Sequence, residues 1–236
     1  MPNQKNYKTL SIIISAFNEE ATIEELFKRV KNANTLGLKK EIIIVDDGSV
    51  DDTLKILKKL PKKNLKLVFH SKNKGKGAGV RSGIKASTGD IILIQDADLE
   101  YHPNQYPKLL RPFLKKNAKV VYGSRELSGK NRHSSAVFHL GGRMVTTLTN
   151  LLYGSSLTDV STCYKVFDSK LIKKIPLRCV RFEFCPEVTA HILKRDIDIV
   201  EVPITYSPRS YMEGKKIKAK DGVEAFYTLV RVQLGI

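Results

Sequence analysis

The chain has 236 residues, 42% of them hydrophobic and 28% charged, which excludes a disordered or fibrous protein and leaves room for one large domain or two small ones. The formal net charge is +17, so partners are to be sought among anions: nucleic acid, phosphorylated small molecules or an anionic membrane surface. Cys163, Cys179 and Cys185 are the only cysteines; with no Cys-x-x-Cys pair and an odd number, they predict reduced thiols in the cytoplasm rather than a disulfide framework.

The residues before the first strand show no apolar run of signal-peptide type. No stretch reaches the roughly 18 apolar residues of a membrane span. The expectation is a soluble or peripheral protein, unless a partner anchors it. Leu10–Ala16 reads as a buried strand, and Phe17-Asn18-Glu19-Glu20 as the opening of a helix whose stripe is Ile23, Leu26, Phe27 and Val30. Glu41–Val45 is a second strand, ending in Asp46-Asp47-Gly48-Ser49; a helix with Leu54, Leu57 and Leu60 follows, with Asp51 or Asp52 expected to cap it. Leu65–Phe69 is a third strand. Asn73-Lys74-Gly75-Lys76-Gly77 leads into a helix through Ile84, and Gly89-Asp90 turns into a fourth strand from Ile91. Strands and helices alternating at this spacing predict an α/β fold with a mostly parallel central sheet and helices on both faces.

Further on, Tyr106–Lys116 reads as a helix and Lys119–Gly123 as a strand that delivers Ser124-Arg125 to the same edge. Residues 126–136 read as a polar loop, 138–152 as a helix, Tyr164–Phe167 as a short strand and Glu187–Arg195 as a helix. Ile197–Tyr206 is a strand interrupted by Pro203, hence at a sheet edge. Arg209–Lys220 is a basic loop, and Val223, Phe226, Tyr227, Val230 and Leu234 mark a terminal amphipathic helix. No repeat or linker divides the chain, so one domain is expected.

The chemistry is concentrated after the fourth strand, in Gln95-Asp96-Ala97-Asp98-Leu99-Glu100. In extended backbone, side chains two apart share a side, so Asp96, Asp98 and Glu100 are expected to converge just past a strand's carboxyl end, where open α/β sheets bind ligands. Such oxygens suit Mg²⁺ or Mn²⁺ sharing its shell with phosphate; a solvated acidic turn is the plain alternative. Asp47 at the same edge is expected to accept hydrogen bonds from a ribose or base. The Lys-Gly run is either a phosphate cradle or a turn before a helix, but neither a P-loop nor a Gly-x-Gly-x-x-Gly fingerprint is present. Arg125, Arg209 and Lys215 are candidate phosphate contacts. The five histidines form no metal-ligand spacing, and Cys163 is expected in the core.

Taken together, Ser15-Ala-Phe-Asn-Glu-Glu, Val45-Asp-Asp-Gly-Ser, Asn73-Lys-Gly-Lys-Gly, Gly89-Asp90 and Gln95-Asp-Ala-Asp-Leu-Glu resemble, in order and spacing, family 2 glycosyltransferases with the GT-A (Rossmann-like) fold. Gly123-Ser-Arg125, Leu157-Thr-Asp-Val, Thr162-Cys-Tyr-Lys165, Phe182-Glu-Phe, Glu201-Val-Pro-Ile and Arg209-Ser-Tyr-Met-Glu-Gly-Lys215 narrow the resemblance to the dolichyl-phosphate mannose and glucose synthase group. It implies a nucleoside-diphosphate sugar donor such as GDP-mannose or UDP-glucose, a divalent metal, Mg²⁺ or Mn²⁺, and a polyprenyl-phosphate acceptor reached from the cytoplasmic face of a membrane. Residues 1–125 would be the nucleotide-sugar-binding half and 126–236 the acceptor-binding half. By the same resemblance Ser15, Phe17, Glu19, Val45 and Asp47 would line the nucleoside pocket. Asp96, Ala97 and Asp98 would hold the diphosphate and metal, with Glu100 a further ligand, and Arg125, Arg209 and Lys215 would contact phosphates. Ser15, Phe17 and Glu100 stand where relatives usually have proline, tyrosine and glutamine.

A hydroxyl acceptor needs a general base, and relatives that use one resemble each other in carrying a Glu-Asp pair that this chain lacks. Asp159 and Glu183 are the remaining candidates. A phosphate monoester, with a second pKa of about 6, needs no base, so the missing pair agrees with a lipid-phosphate acceptor; the resemblance implies that the sugar is transferred to it with inversion. A transferase acting on a glycan hydroxyl is the alternative. A sugar-nucleotide pyrophosphorylase would carry a Gly-rich loop where Phe17–Glu20 stands, and no RNP, zinc or basic-heptad pattern supports nucleic-acid binding. The helix at 138–152, with Arg132, Arg143 and the Lys215–Lys220 loop nearby, is placed to touch lipid headgroups.

Overall fold

The computed structural model describes residues 6–129, 131, 135–208 and 219–236. Arg209 and Lys215, two of the expected phosphate contacts, and Arg132 lie outside the described residues. The elements follow in order: β1 (Thr9–Ala16), α1 (Ile23–Asn32), β2 (Lys39–Asp46), α2 (Thr53–Lys59), β3 (Leu65–Phe69), α3 (Lys76–Ala86) and β4 (Ile91–Asp96). A short 3-10 turn (Pro103–Gln105) precedes α4 (Tyr106–Lys116), β5 (Val120–Ser124), α5 (Ala136–Tyr153), β6 (Lys165–Asp168), α6 (Ser169–Ile172), α7 (Phe184–Leu193), β7 (Val200–Pro203) and α8 (Ala219–Leu234). The α/β reading holds, with α6 the one element it did not anticipate.

The described strands form one seven-stranded sheet in the order β3-β2-β1-β4-β6-β5-β7. Its first four strands are parallel, as right-handed βαβ connection requires. β6 runs antiparallel between β4 and β5, so β5 is parallel to β4 and ends at the same edge. Among the described strands β7 pairs only with β5, and it ends on Pro203, the edge position that a residue without a backbone donor permits.

The central strands are buried on both faces, which is why every residue of β1 from Leu10 to Ile14 is buried and all but Ser11 are apolar. One core layer joins Ile12, Ile14, Ile44 and Leu93 to α1, α4, Val166 and Ile204; the other joins Ile13, Ile43, Ile92 and Phe167 to Val80 of α3 and Phe184, Val188 and Ile192 of α7. Register aligns Ser15 with both Val45 and Asp96, so β1, β2 and β4 end level with one another. Their loops therefore open on one shared edge.

Candidate active site

The first two loops at that edge are laced together. Asn18, with φ 51°, receives a hydrogen bond at Oδ1 from Val50 N (2.9 Å) and donates its own N–H to Ser49 Oγ (3.0 Å). Glu19 N donates to Thr53 Oγ1 (2.8 Å), and Glu19 itself is buried, with Oε2 accepting from Thr22 Oγ1 (2.9 Å). Of the acidic pair expected to cap α2, Asp52 is the N-cap residue but makes no side-chain cap bond, while Asp51 Oδ1, one residue earlier, accepts from Thr53 N (3.0 Å). Phe17 and Ser15 are half-buried at the mouth of this cleft, with Ser15 Oγ against Gly79 of α3.

Asp47 reaches the edge but turns inward. Its Oδ1 accepts from Lys74 N (3.0 Å) and lies 2.6 Å from His70 Nδ1; its Oδ2 accepts from Gly75 N (2.7 Å). Expected to meet a ribose or base, this carboxylate instead shapes the 70–77 loop. Gly75 adopts φ +96°, and a Cβ there would meet Val180 O, so only glycine fits. Val45 is fully buried in the core, which leaves the loop after it, rather than its side chain, at the edge.

The loop that Asp47 shapes delivers Lys76 to the acidic turn. Lys76 Nζ lies 2.6 Å from Asp96 Oδ1 and donates to Cys163 Sγ (2.9 Å). Burial alone would lower the Lys76 ammonium, but the Asp96 carboxylate beside it holds it well above the ordinary lysine value. Lys76 was absent from the residues singled out in the sequence; the Lys-Gly run marked its loop without showing where it points. Cys163, expected in the core, is half-buried: it packs against both core layers and also accepts from Lys76 at this site.

The acidic residues do not alternate as extended backbone would. β4 ends at Asp96, and the chain turns at Ala97, with Leu99 at φ 64°. The turn closes on itself, Glu100 N donating to Asp98 Oδ1 (3.2 Å), while Glu100 Oε2 accepts from Tyr206 OH (2.8 Å). Among the described residues no three His, Cys, Asp or Glu side chains gather into a metal cage. The expected three-carboxylate convergence fails at this turn. What remains is a buried Asp96 and a half-buried Asp98 on one loop with Lys76 alongside. That donor set fits a hard cation that takes one or two carboxylates and completes its shell with diphosphate oxygens and water.

Arg125 arrives from β5 at the same edge, as expected. It grips Asp159 with two parallel bonds, Nε to Oδ2 and Nη2 to Oδ1, both 2.7 Å, and its backbone N–H adds a third at 3.0 Å. Its guanidinium lies 5.3 Å over the Tyr206 ring. Burial would raise the Asp159 carboxyl, but Arg125 outweighs it and holds the group below the usual carboxylate range. Glu201 in turn fixes this loop, accepting from Thr158 N (2.8 Å), Thr158 Oγ1 (2.9 Å) and Asp159 N (3.0 Å). Glu183, the second candidate base, is also engaged: its carboxylate accepts from Val180 N (2.5 Å) and Arg181 N (2.9 Å).

Comparison with known proteins bears on the family and the fold. Residues 11–176 match the family model described as glycosyl transferase family 2. The chain belongs to that family, and is a glycosyltransferase. Among its relatives, the UDP-N-acetylglucosamine–dolichyl-phosphate N-acetylglucosaminyltransferase of Methanococcus voltae is 29% identical, the match covering 97% of each chain. The dolichol-phosphate mannosyltransferase of Pyrococcus furiosus is 30% identical over 87% of this chain and 58% of its own. The undecaprenyl-phosphate 4-deoxy-4-formamido-L-arabinose transferase of Edwardsiella ictaluri is 27% identical, over 91% and 65%. Glucosyl-3-phosphoglycerate synthase from Mycobacterium tuberculosis, solved with Mn²⁺ and UDP-glucose, superposes with a TM-score of 0.75 at 21% identity, covering 97% of this chain and 80% of that one. The fold is thus GT-A.

Proposed function

We propose that this glycosyltransferase moves a hexose from a nucleoside-diphosphate sugar to a polyprenyl phosphate, with inversion. The observation that carries the reading is that both carboxylates able to act as a base are committed elsewhere: Asp159 to Arg125, and Glu183 to the backbone of Val180 and Arg181. A carboxylate clamped by a guanidinium and held below its ordinary pKa is a poor proton acceptor. An acceptor phosphate brings its own anionic oxygen and needs none. The names of the dolichyl- and undecaprenyl-phosphate relatives support the same acceptor class.

In this mechanism the acceptor phosphate oxygen attacks the anomeric carbon, the bond from that carbon to the donor diphosphate breaks, and the nucleoside diphosphate leaves with the electron pair. Asp96 and Asp98 would hold a divalent cation, Mg²⁺ or Mn²⁺, which when bound neutralises charge on the leaving diphosphate. Lys76 supplies a fixed positive charge beside Asp96, preorganised by its ion pair. Arg125, oriented by Asp159 and supported by Tyr206, whose hydroxyl also donates to Glu100 of the acidic turn, steadies the acceptor phosphate. Phe17 and Glu19 line the nucleoside cleft. Arg209 and Lys215 keep the phosphate-contacting role that the sequence implies.

The test is a transfer assay with labelled UDP- and GDP-sugars, Mn²⁺, and either a prenyl phosphate or a sugar alcohol acceptor. Product is expected only on the phosphate, and Asp98→Ala abolishes it. The acid limb of the rate profile is expected near pH 6, the acceptor's second ionisation, and is expected to persist in Asp159→Asn, which raises the KM for acceptor. Transfer to the alcohol, with the acid limb lost in Asp159→Asn, would overturn the reading in favour of a hydroxyl acceptor and an Asp159 base.

A further inference from the structure

A cavity of about 440 Å³ lies between the C-terminal ends of α7 and α8 and the loop before α7, and none of its walls belongs to the candidate active site. Arg178, Lys194, Arg195 and Arg231 line it together with His191, and no acidic side chain does. Four cations around a volume of small-molecule size make a concentrated positive field. Two of them cap helix ends: Lys194 Nζ donates to Val232 O and Gln233 O (both 2.9 Å), and Arg195 Nη1 to His191 O (2.8 Å). Those carbonyls soften the two charges without cancelling them. The other two are less fully engaged. Among the described residues the exposed Arg178 guanidinium has no hydrogen-bond or ion-pair partner. Arg231 binds Glu187 through Nη2 (2.6 Å), and its Nε is buried with no partner among the described residues, a state that native folds rarely leave unused. His191 registers the field: burial lowers its imidazole below the ordinary histidine value, and Arg195, Arg231 and Lys194 push the same way against Glu187.

Glu187 ties this cavity to the other end of α7. Wholly buried, it takes Arg231 on one side and the backbone N–H groups of Arg178 (3.0 Å) and Cys179 (2.8 Å) on the other. The same loop accepts from the first turn of α3: Val180 O from Ala78 N (3.0 Å), and Arg181 O from Gly77 N (2.8 Å). Gly77 and Ala78 follow Lys76 directly. One run of charged and backbone hydrogen bonds thus joins Arg231 to the loop that aims Lys76 at Asp96. The ten residues of α7 span about 15 Å, so an occupant of the cavity is separate from the reacting groups.

We propose that this cavity is a second anion site, which takes the phosphate group of a soluble small molecule between Arg178 and Arg231 and is felt at the Lys76 loop through Glu187. The forked donors of two guanidinium groups suit a phosphate dianion, and Lys194 and Arg195 add long-range attraction. An anion there draws on Arg231, which Glu187 otherwise holds, and Glu187 sets the loop on which α3 rests. Neither the site nor the link depends on which acceptor the enzyme uses.

NMR of the histidine rings and backbone amides tests both parts in metal-free buffer, without donor or acceptor. His191→Gln identifies its signal among the five histidines. With ionic strength held constant by chloride, inorganic phosphate is expected to shift the His191 signal to saturation, and Arg178→Glu to weaken the midpoint by about tenfold. Lys58→Glu makes the same charge change at an exposed position of α2 and is expected to titrate like the native protein. Arg178 meets Glu187 through its backbone and not its side chain, so Arg178→Glu is expected to keep the fold, which circular dichroism checks. The Gly77 and Ala78 amide signals are expected to move with the His191 midpoint and to weaken with it in Arg178→Glu. A His191 signal that drifts without saturating, or saturates alike in native protein and Arg178→Glu, overturns the site. Amide signals with a midpoint of their own, unchanged in Arg178→Glu, report phosphate on Lys76 itself and overturn the link. Phosphatidic acid vesicles that broaden the His191 signal where inorganic phosphate leaves it unmoved would assign the cavity to a lipid headgroup and overturn the soluble ligand.

Discussion

Asp159 is almost wholly buried, and its pairing with Arg125 is the costliest polar arrangement at the site. Two charges have left water, and only the bidentate geometry and the backbone N–H of Arg125 offset that loss. Removing one partner strands the other. Asp159→Asn is therefore expected to destabilise the fold by about 3 kcal/mol at pH 7, measured by urea unfolding. The pH dependence has a definite sign. The folded carboxyl is held below its ordinary value by Arg125 against the opposing effect of burial. The stability it contributes is then complete above the unfolded pKa of about 3.9 and is lost as the pH falls through the folded one, where the carboxyl takes up a proton. The gap between native protein and Asp159→Asn is expected to hold from pH 7 to about pH 4 and to close below it. A gap that instead widens on acidification would show that Arg125 does not set the Asp159 ionisation.

At the scale of elements, α3 is the piece that turns a common sheet edge into a site. Gly79 and Gly83, one turn apart, let its backbone lie directly on β1: a Cβ at Gly83 would strike Ile13, and one at Gly79 would strike Ser15. That close approach aims the first residue of α3, Lys76, at Asp96. Helix propensity alone predicts that Gly83→Ala stabilises by about 1 kcal/mol. Overpacking against a fully buried strand costs about 1–3 kcal/mol and is expected to win, lowering Tm and weakening donor binding together. Gly141→Ala in α5, where nothing lies within 4 Å of the added carbon, is expected to follow propensity and stabilise by up to about 1 kcal/mol. Both are read by thermal unfolding. The strands and most helices were legible because apolar periodicity marks them. The edge shared by Asp47, Asp96 and Arg125 was legible because parallel strands end together. Lys76 was not, because its direction depends on two glycines whose packing partner lies more than 60 residues away in the chain. The convergence of Asp96, Asp98 and Glu100 was misread because period-two reasoning holds only while the chain stays extended, and Leu99 leaves that region.

Across the whole molecule, β6 decides how far the two halves depend on one another. Nothing in its four residues announces an antiparallel direction; that comes from the 40-residue excursion through α5 that returns the chain to the sheet from the other end. Inserted between β4 and β5, it is, among the described strands, the only neighbour β5 has apart from β7. The 1–125 half on its own would therefore contain β5 with no strand to pair with and β4 with one long, apolar edge exposed. Both core layers would also be cut: Val166 and Ile204 would leave one, and Phe167, Phe184, Val188 and Ile192 the other. Conformational entropy would still have to be overcome for every residue ordered, with less apolar area to offset it. Residues 1–125 are therefore not expected to fold as a unit. The full chain is expected to unfold in one cooperative transition, with calorimetric and van't Hoff enthalpies in agreement. Residues 1–125 expressed alone are expected to aggregate through the β4 edge or to show no cooperative melt. A fragment that melts cooperatively and binds nucleoside diphosphate with Mn²⁺ would instead establish two autonomous domains, and would place the acidic turn's order in β1, β2 and β4 without help from Tyr206.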